Sequence, residues 1–173
     1  VSSFVASSAL TMALYGVFES VCVSVILFFM VNIVPTSAPD FGQVFALFVV
    51  SNILTNWVVG NIIRSIAYCF SNLVMAFVVG VFITSFGMLY AGFVVSPDLM
   101  PAWAVWFYYL SPLSWGFRAV SLIAFTSETY GAGQENSLGR IALDIFGVFP
   151  DRKWIYYGMV YLFVINLVFI LVQ

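Results

Sequence analysis

The sequence predicts an all-α fold, a polytopic membrane helix bundle with four transmembrane helices, short re-entrant helices and one water-facing loop. Three observations carry this expectation. First, charged residues make up only 7% of the 173 positions, against about 25% in an ordinary soluble domain. Second, seven of the twelve charges fall in residues 128–153, leaving Glu19, Asp40, Arg64, Asp98 and Arg118 for the rest of the chain. Third, four long apolar stretches carry at most one charge each, and about 20 such residues suffice to cross the hydrocarbon core. A hydrophobic content of 64% and a mean hydropathy of +1.12 agree.

The first span is expected at about 4–34 and contains a single charge, Glu19. Pro35 and Pro39 then stop the helix, because proline lacks the N–H that continues a helical ladder. The second span, 41–63, is uncharged, and Arg64 to Asn72 reads as a tight link. The third is expected at about 71–93. The segment 94–153 that follows has two parts. Leu99–Phe117 is uncharged and dense in Trp and Tyr, with Pro101 and Pro112 eleven residues apart. Such proline spacing does not suit one straight span, and the rings favour the membrane interface. Short helices dipping into that interface are therefore expected. Thr126–Lys153 is the water-facing part, with Gly131, Gly133, Gly139 and Gly147 and most of the charge. Asp98 is expected to begin a turn or cap a helix. Asp144, Asp151, Arg152 and Lys153 read as a solvated loop and interface anchor. The fourth span is 154–173. The chain opens on Val1 without a charged leader and closes on an apolar run, so it reads as a piece of a longer protein.

Several chemistries are excluded. There is no histidine for acid–base work or metal binding, and the one lysine, Lys153, follows no Gly-rich phosphate loop. A net charge of −2 without a basic run gives no footprint for nucleic acid. Cys22 and Cys69 lie in apolar stretches and read as packing residues. No nucleophile–base pair, carboxylate dyad or metal cluster is apparent.

Three constellations remain. Glu19 is an ionisable group within a span, which is costly and often functional; it is either a coupling site or a hydrogen-bonding partner of another helix. The second span carries Asn52, Asn56, Gly60 and Arg64 at successive steps of four, on one helix face. That polar face serves interhelical hydrogen bonds or substrate contact. The third span carries Gly80, Thr84, Gly87, Ala91 and Gly92 among bulky apolar groups, a pattern suited to close packing or to an apolar cavity.

The stretch Phe86–Phe125 is similar to the membrane domain of G-subfamily ABC transporters, including the pleiotropic drug resistance type. The carrying elements are Ala91-Gly92-Phe93, the prolines Pro97 and Pro101, and the core Trp103, Trp106, Tyr109, Ser111, Pro112. Trp115-Gly116-Phe117-Arg118-Ala119 follows. Residues 139–157 resemble the passage before the last helix of that type. Where family members often carry Glu-Phe after the aromatic block, this chain has Ala124-Phe125. The resemblance implies that residues 1–173 form part of an ABC-2 type exporter domain, its third to sixth helices. Chain ends would then be cytosolic, and residues 94–153 extracellular apart from their re-entrant part. It implies a multi-pass protein, expected in the plasma membrane, with a lipid bilayer around it. ATP and Mg would be held by a separate nucleotide-binding domain, so that the whole protein would be an ATPase. A second transmembrane bundle would complete a central cavity for an amphipathic small-molecule substrate. By position, Val81, Thr84, Ser85 and Met88 would face substrate, and Phe93 and Val94 would form an extracellular plug.

The resulting expectation is the membrane-spanning part of an ATP-driven exporter of amphipathic or lipid-like molecules. Its rivals are an ion-coupled carrier that uses Glu19 and a non-transporting membrane scaffold.

Overall fold

The computed structural model describes residues 2–35, 38, 40–127, 130 and 137–172. Among them every regular element is helical: α1 (Ser2–Val31), α2 (Phe41–Cys69), α3 (Leu73–Leu89), a 3-10 turn (Pro97–Leu99), α4 (Val105–Leu110), α5 (Pro112–Phe125), α6 (Leu138–Ile145) and α7 (Lys153–Val172). The expected all-α membrane bundle is what forms. Segments of α1, α2 and α7 are long and apolar enough to cross a bilayer, and α3 is a shorter apolar helix.

Two boundaries differ from expectation. α2 continues through Arg64 to Cys69, because nothing in Arg64–Cys69 breaks a helix; the link to α3 is only Phe70–Asn72. The third helix starts where Asn72 accepts a hydrogen bond from the Val74 N–H, an N-terminal cap. It stops at Leu89 after 17 residues, roughly 25 Å, and an irregular segment leads on to Ser96. Asp98 does not cap a helix; it lies within the 3-10 turn that Ser96 precedes. The loop after Thr126 contains α6, capped by Ser137, which accepts from the Arg140 N–H. Glu128, Gly131 and Gly133 lie outside the described residues.

α2 is the central helix, packed against α1, α3, α5 and α7. Lipid tails are as apolar as leucine, so helices here associate through close packing and hydrogen bonds rather than by escaping water. Three of these four interfaces show such a device. Towards α1, Asn56 donates to the Gly16 carbonyl (3.3 Å) and the Ser20 hydroxyl (2.8 Å), and the Trp57 indole donates to Ala13 (3.3 Å). Towards α5, Gly116 lets the helices touch: a Cβ there would stand 2.7 Å from Thr55 Cγ2. Towards α7, buried Asn61 donates to Asn166 (2.9 Å), whose own amide donates to the Leu54 and Leu162 carbonyls.

One end of the bundle is sealed by a cluster around Phe28, whose ring meets Phe41, Phe45 and Phe48 edge-on at 5.1–5.6 Å. Leu122, Leu143, Val148 and Ile155 complete it. The Ser127 hydroxyl donates to Ile33 (2.7 Å) in the same region. The α1–α2 turn and the segment from α5 to α7 thus share one end of the molecule. Cys22 and Cys69 are free thiols and exposed rather than buried in the core of the bundle.

The Asn61–Asn166 pair yields a test. Asn166→Leu removes the Asn166 carbonyl from the buried Asn61 amide, and the Asn166 amide from the Leu54 and Leu162 carbonyls, and should destabilise the full-length protein by about 1–2 kcal/mol. Unfolding in mixed micelles should show that loss partly recovered in the Asn61→Leu/Asn166→Leu double variant.

Candidate functional site

α3 has two unlike faces. Ala76 and Gly80 are buried against the bundle, while Val81, Ser85 and Met88 lie exposed on the far side. These last three recur at helical spacing, so the structure brings them together as one outward surface. Thr84 sits at its border and is half-buried. Its hydroxyl donates to the Gly80 carbonyl (2.8 Å) within its own helix, which leaves only oxygen lone pairs for a ligand. Of the four residues expected to face substrate, Thr84 alone also lines the cavity of about 390 Å³ on the opposite flank of α3.

Beyond Leu89 the chain turns at Gly92, with φ of +92°. The left-handed region favours glycine, and a Cβ at this position would stand 2.8 Å from the Tyr108 ring. Phe93 then projects with 56% of its surface exposed. Its ring nevertheless has neighbours, Phe117 at 5.7 Å and Phe146 at 6.2 Å. Val94 beside it is exposed.

Tyr108 is held by the helical hairpin α4–α5. Pro112 has no N–H to give the Tyr108 carbonyl four residues earlier. The Ser114 hydroxyl donates there instead. The next two carbonyls, Tyr109 and Leu110, receive the Trp115 indole (2.8 Å) and the Tyr161 hydroxyl of α7 (2.7 Å). The hairpin can therefore break its helix in an apolar setting because side chains replace the missing backbone donors.

Behind it lies Arg118, 4% exposed. Its guanidinium donates to the Tyr108 hydroxyl (2.9 Å). It also stands 5.1–5.3 Å from the ring centres of Tyr108, Trp115 and Trp154, within cation–π range. Arginine suits such a site because it is planar, weakly hydrated and always charged. No acid among the described residues forms an ion pair with it. The phenol accepts from Arg118 through its oxygen. In the sequence Arg118 stands out only as one of five scattered charges and as a member of the Trp115–Ala119 element; its i,i+3 spacing from Trp115 is the signal that pairs them.

The polar face of α2 is divided. Asn52 donates to Phe48 of its own helix (2.9 Å), and Asn56 is consumed by α1. Arg64 borders a cavity of about 510 Å³ with Glu19, Asn56, Trp57 and Ile170. Glu19 is exposed at this opening. The Asn61–Asn166 pair is not apparent from the sequence, although Asn166 is the one amide within α7 (Lys153–Val172). Among the described residues no group of His, Cys, Asp or Glu could hold a metal ion.

The Gly92–Tyr108–Arg118 chain of contacts yields a graded expectation. Tyr108→Phe removes one acceptor from a charged donor and should cost about 1.5–3 kcal/mol. Gly92→Ala adds both backbone strain and a ring clash and should be worse. Thermal unfolding of the purified full-length protein in detergent checks the ranking, with Gly80→Ala as the mild reference, since no atom lies within 4 Å of its added Cβ.

Residues 1–125 match the family model described as ABC-2 type transporter. Similar curated proteins include ABC transporter G family member 46 of Oryza sativa subsp. japonica, 30% identical over 137 residues, which cover 78% of this chain and 9% of that protein. ABC transporter G family member 37 of Arabidopsis thaliana is 29% identical over 133 residues, 76% of this chain and 9% of its own length. Pleiotropic drug resistance protein 2 of Nicotiana plumbaginifolia is 26% identical over 154 residues, 87% of this chain and 10% of its own length. The chain thus spans about a tenth of the length of the curated relatives it matches. With its helical bundle and this similarity over most of its length, the chain belongs to the ABC-2 type transporter family and is related to the G-subfamily and pleiotropic drug resistance ABC transporters.

Proposed function

We propose that this integral, multi-pass membrane chain is part of an ATP-driven exporter of amphipathic or lipid-like small molecules in the plasma membrane. The observation that carries the reading is the outward surface of α3. Val81, Ser85 and Met88 are exposed among the described residues, and they lead to Phe93 and Val94 just past the Gly92 turn. In the proposed assembly a second bundle faces this surface, and substrate lies between the two. A cavity with so few polar groups selects by shape and apolar burial, with little hydrogen bonding.

The energy source lies outside these residues. The chain has one lysine and no Gly-rich phosphate loop, so its own residues do not fit ATP. ATP and Mg belong, in this reading, to a nucleotide-binding domain that acts on the bundle. The chain's own part is to bind, exclude water and gate. Phe93 and Val94 close the path at the end of α3. The Phe117 and Phe146 rings flank Phe93, so a shift of α5 or α6 moves the plug's support.

Phe93→Ala in the full-length transporter should change either substrate flux or uncoupled ATPase activity. A folded variant with both at wild-type levels would remove Phe93 from the gate. Glu19→Gln separates the rival mechanism: export should still follow ATP and ignore an imposed proton gradient. Transport that follows the gradient and disregards ATP would replace the pump by an ion-coupled carrier.

A further inference from the structure

Among the described residues Arg118 is the only charged side chain that is buried. We propose that it is a positioning residue for residues 91–96, the segment that leaves α3, and that it sets where Phe93 and Val94 stand. That these two form the plug rests on the proposed function; that Arg118 places them rests on contacts of its own.

An apolar side chain of similar volume would fill the same space without the cost of taking a cation out of water. What the guanidinium adds is direction. It stands 5.1–5.3 Å from the ring centres of Tyr108 on α4, Trp115 on α5 and Trp154 on α7, and it donates to the Tyr108 hydroxyl at 2.9 Å. That bond fixes the phenol end of Tyr108, whose side chain is itself buried. The ring is thereby held against Gly92, where an added Cβ would stand 2.8 Å from it.

The segment beyond Gly92 has a second anchor. Gly147 also adopts a positive φ, +62°. Its missing side chain makes room for Ser96 Oγ, Pro97 Cγ and Asp98 Oδ2, which would lie 2.8–3.0 Å from a Cβ there. Phe93 and Val94 are exposed between these two anchors. Phe93 leans on Phe117 and Phe146, which meet each other edge-on at 5.4 Å. Phe117 precedes Arg118 in α5, so one turn of helix both holds Tyr108 and carries a ring beside Phe93.

Trp154 stands at the far end of this chain of contacts, on α7. Loss of its ring should be felt at Val94, on the other side of Arg118. A tryptophan that served only to pack α7 would keep such a change local.

The test uses the full-length transporter in lipid nanodiscs without ATP. Cys22 and Cys69 are exposed free thiols, so they and every other cysteine are first replaced by serine. A single cysteine is then placed at Val94 or at Phe149, which is exposed and off the contact path. The rate of labelling by a charged methanethiosulfonate is read. Arg118→Met and Trp154→Leu should each speed labelling of Val94→Cys by about threefold or more, the scale of one cation–π contact. Labelling of Phe149→Cys should not change. Trp154→Phe keeps a ring beside the cation and should leave Val94→Cys at the parent rate. The proposal is overturned if Val94→Cys labels equally in all backgrounds, absence of labelling included. It is equally overturned if Phe149→Cys speeds up as much, or if Trp154→Phe behaves like Trp154→Leu. Should Arg118→Met fail to fold, the two Trp154 variants decide the matter. Substrate flux and ATPase activity of the same variants separate this proposal from the gate reading. Faster labelling with wild-type transport keeps Arg118 as the positioning residue and removes the segment from the gate.

Discussion

A carbonyl group in hydrocarbon must find a donor within the protein, and the α4–α5 hairpin is built around that constraint. Pro112 breaks the helix and withdraws an N–H. Three consecutive carbonyls, from Tyr108 to Leu110, would otherwise lose their helical donors. Ser114 and Trp115 of α5 and Tyr161 of α7 take over. Because one of the three donors comes from another helix, the hairpin's last free carbonyl is satisfied only with α7 beside it. Local backbone chemistry thereby becomes tertiary structure.

The same hairpin carries the buried Arg118. A guanidinium away from water needs compensation, and here it comes from three aromatic faces and one phenol oxygen. Two of those faces belong to α4 and α5 and one to α7, so the cation joins the hairpin to the last span a second time. Tyr108 also touches the place where Gly92 turns the chain out of α3. A contact path therefore runs from Trp154 through Arg118 and Tyr108 to Gly92, next to Phe93. It connects α7 to the end of α3 through packed side chains, without backbone continuity.

Much of this was legible in the residues. Charge scarcity and apolar run length gave the bundle, and the two prolines in an aromatic stretch gave short helices instead of one long span. The order of Gly, Pro and aromatic elements in 86–125 pointed to the family. Element ends were less legible. Arg64 looks like a helix terminus because charges avoid lipid, yet a long side chain near a membrane boundary can extend towards water, and α2 runs on. Likewise Gly92 looks like one more small residue of a spanning helix, whereas a positive φ makes it the exit.

By itself the sequence determined that the chain lives in a bilayer and that its helices are apolar nearly all round. These follow from composition and spacing, which are properties of the chain whatever its neighbours. Only the tertiary structure decided how each polar group is used. Asn56 and Asn52 share one face of α2, yet one bonds across to α1 and the other into its own helix. Asn61 and Asn166 are 105 positions apart and form a pair. The physical reason is that an apolar helix has no hydrophobic stripe to orient it in lipid, so helix rotation is set by the few polar and small residues that find partners elsewhere in the fold.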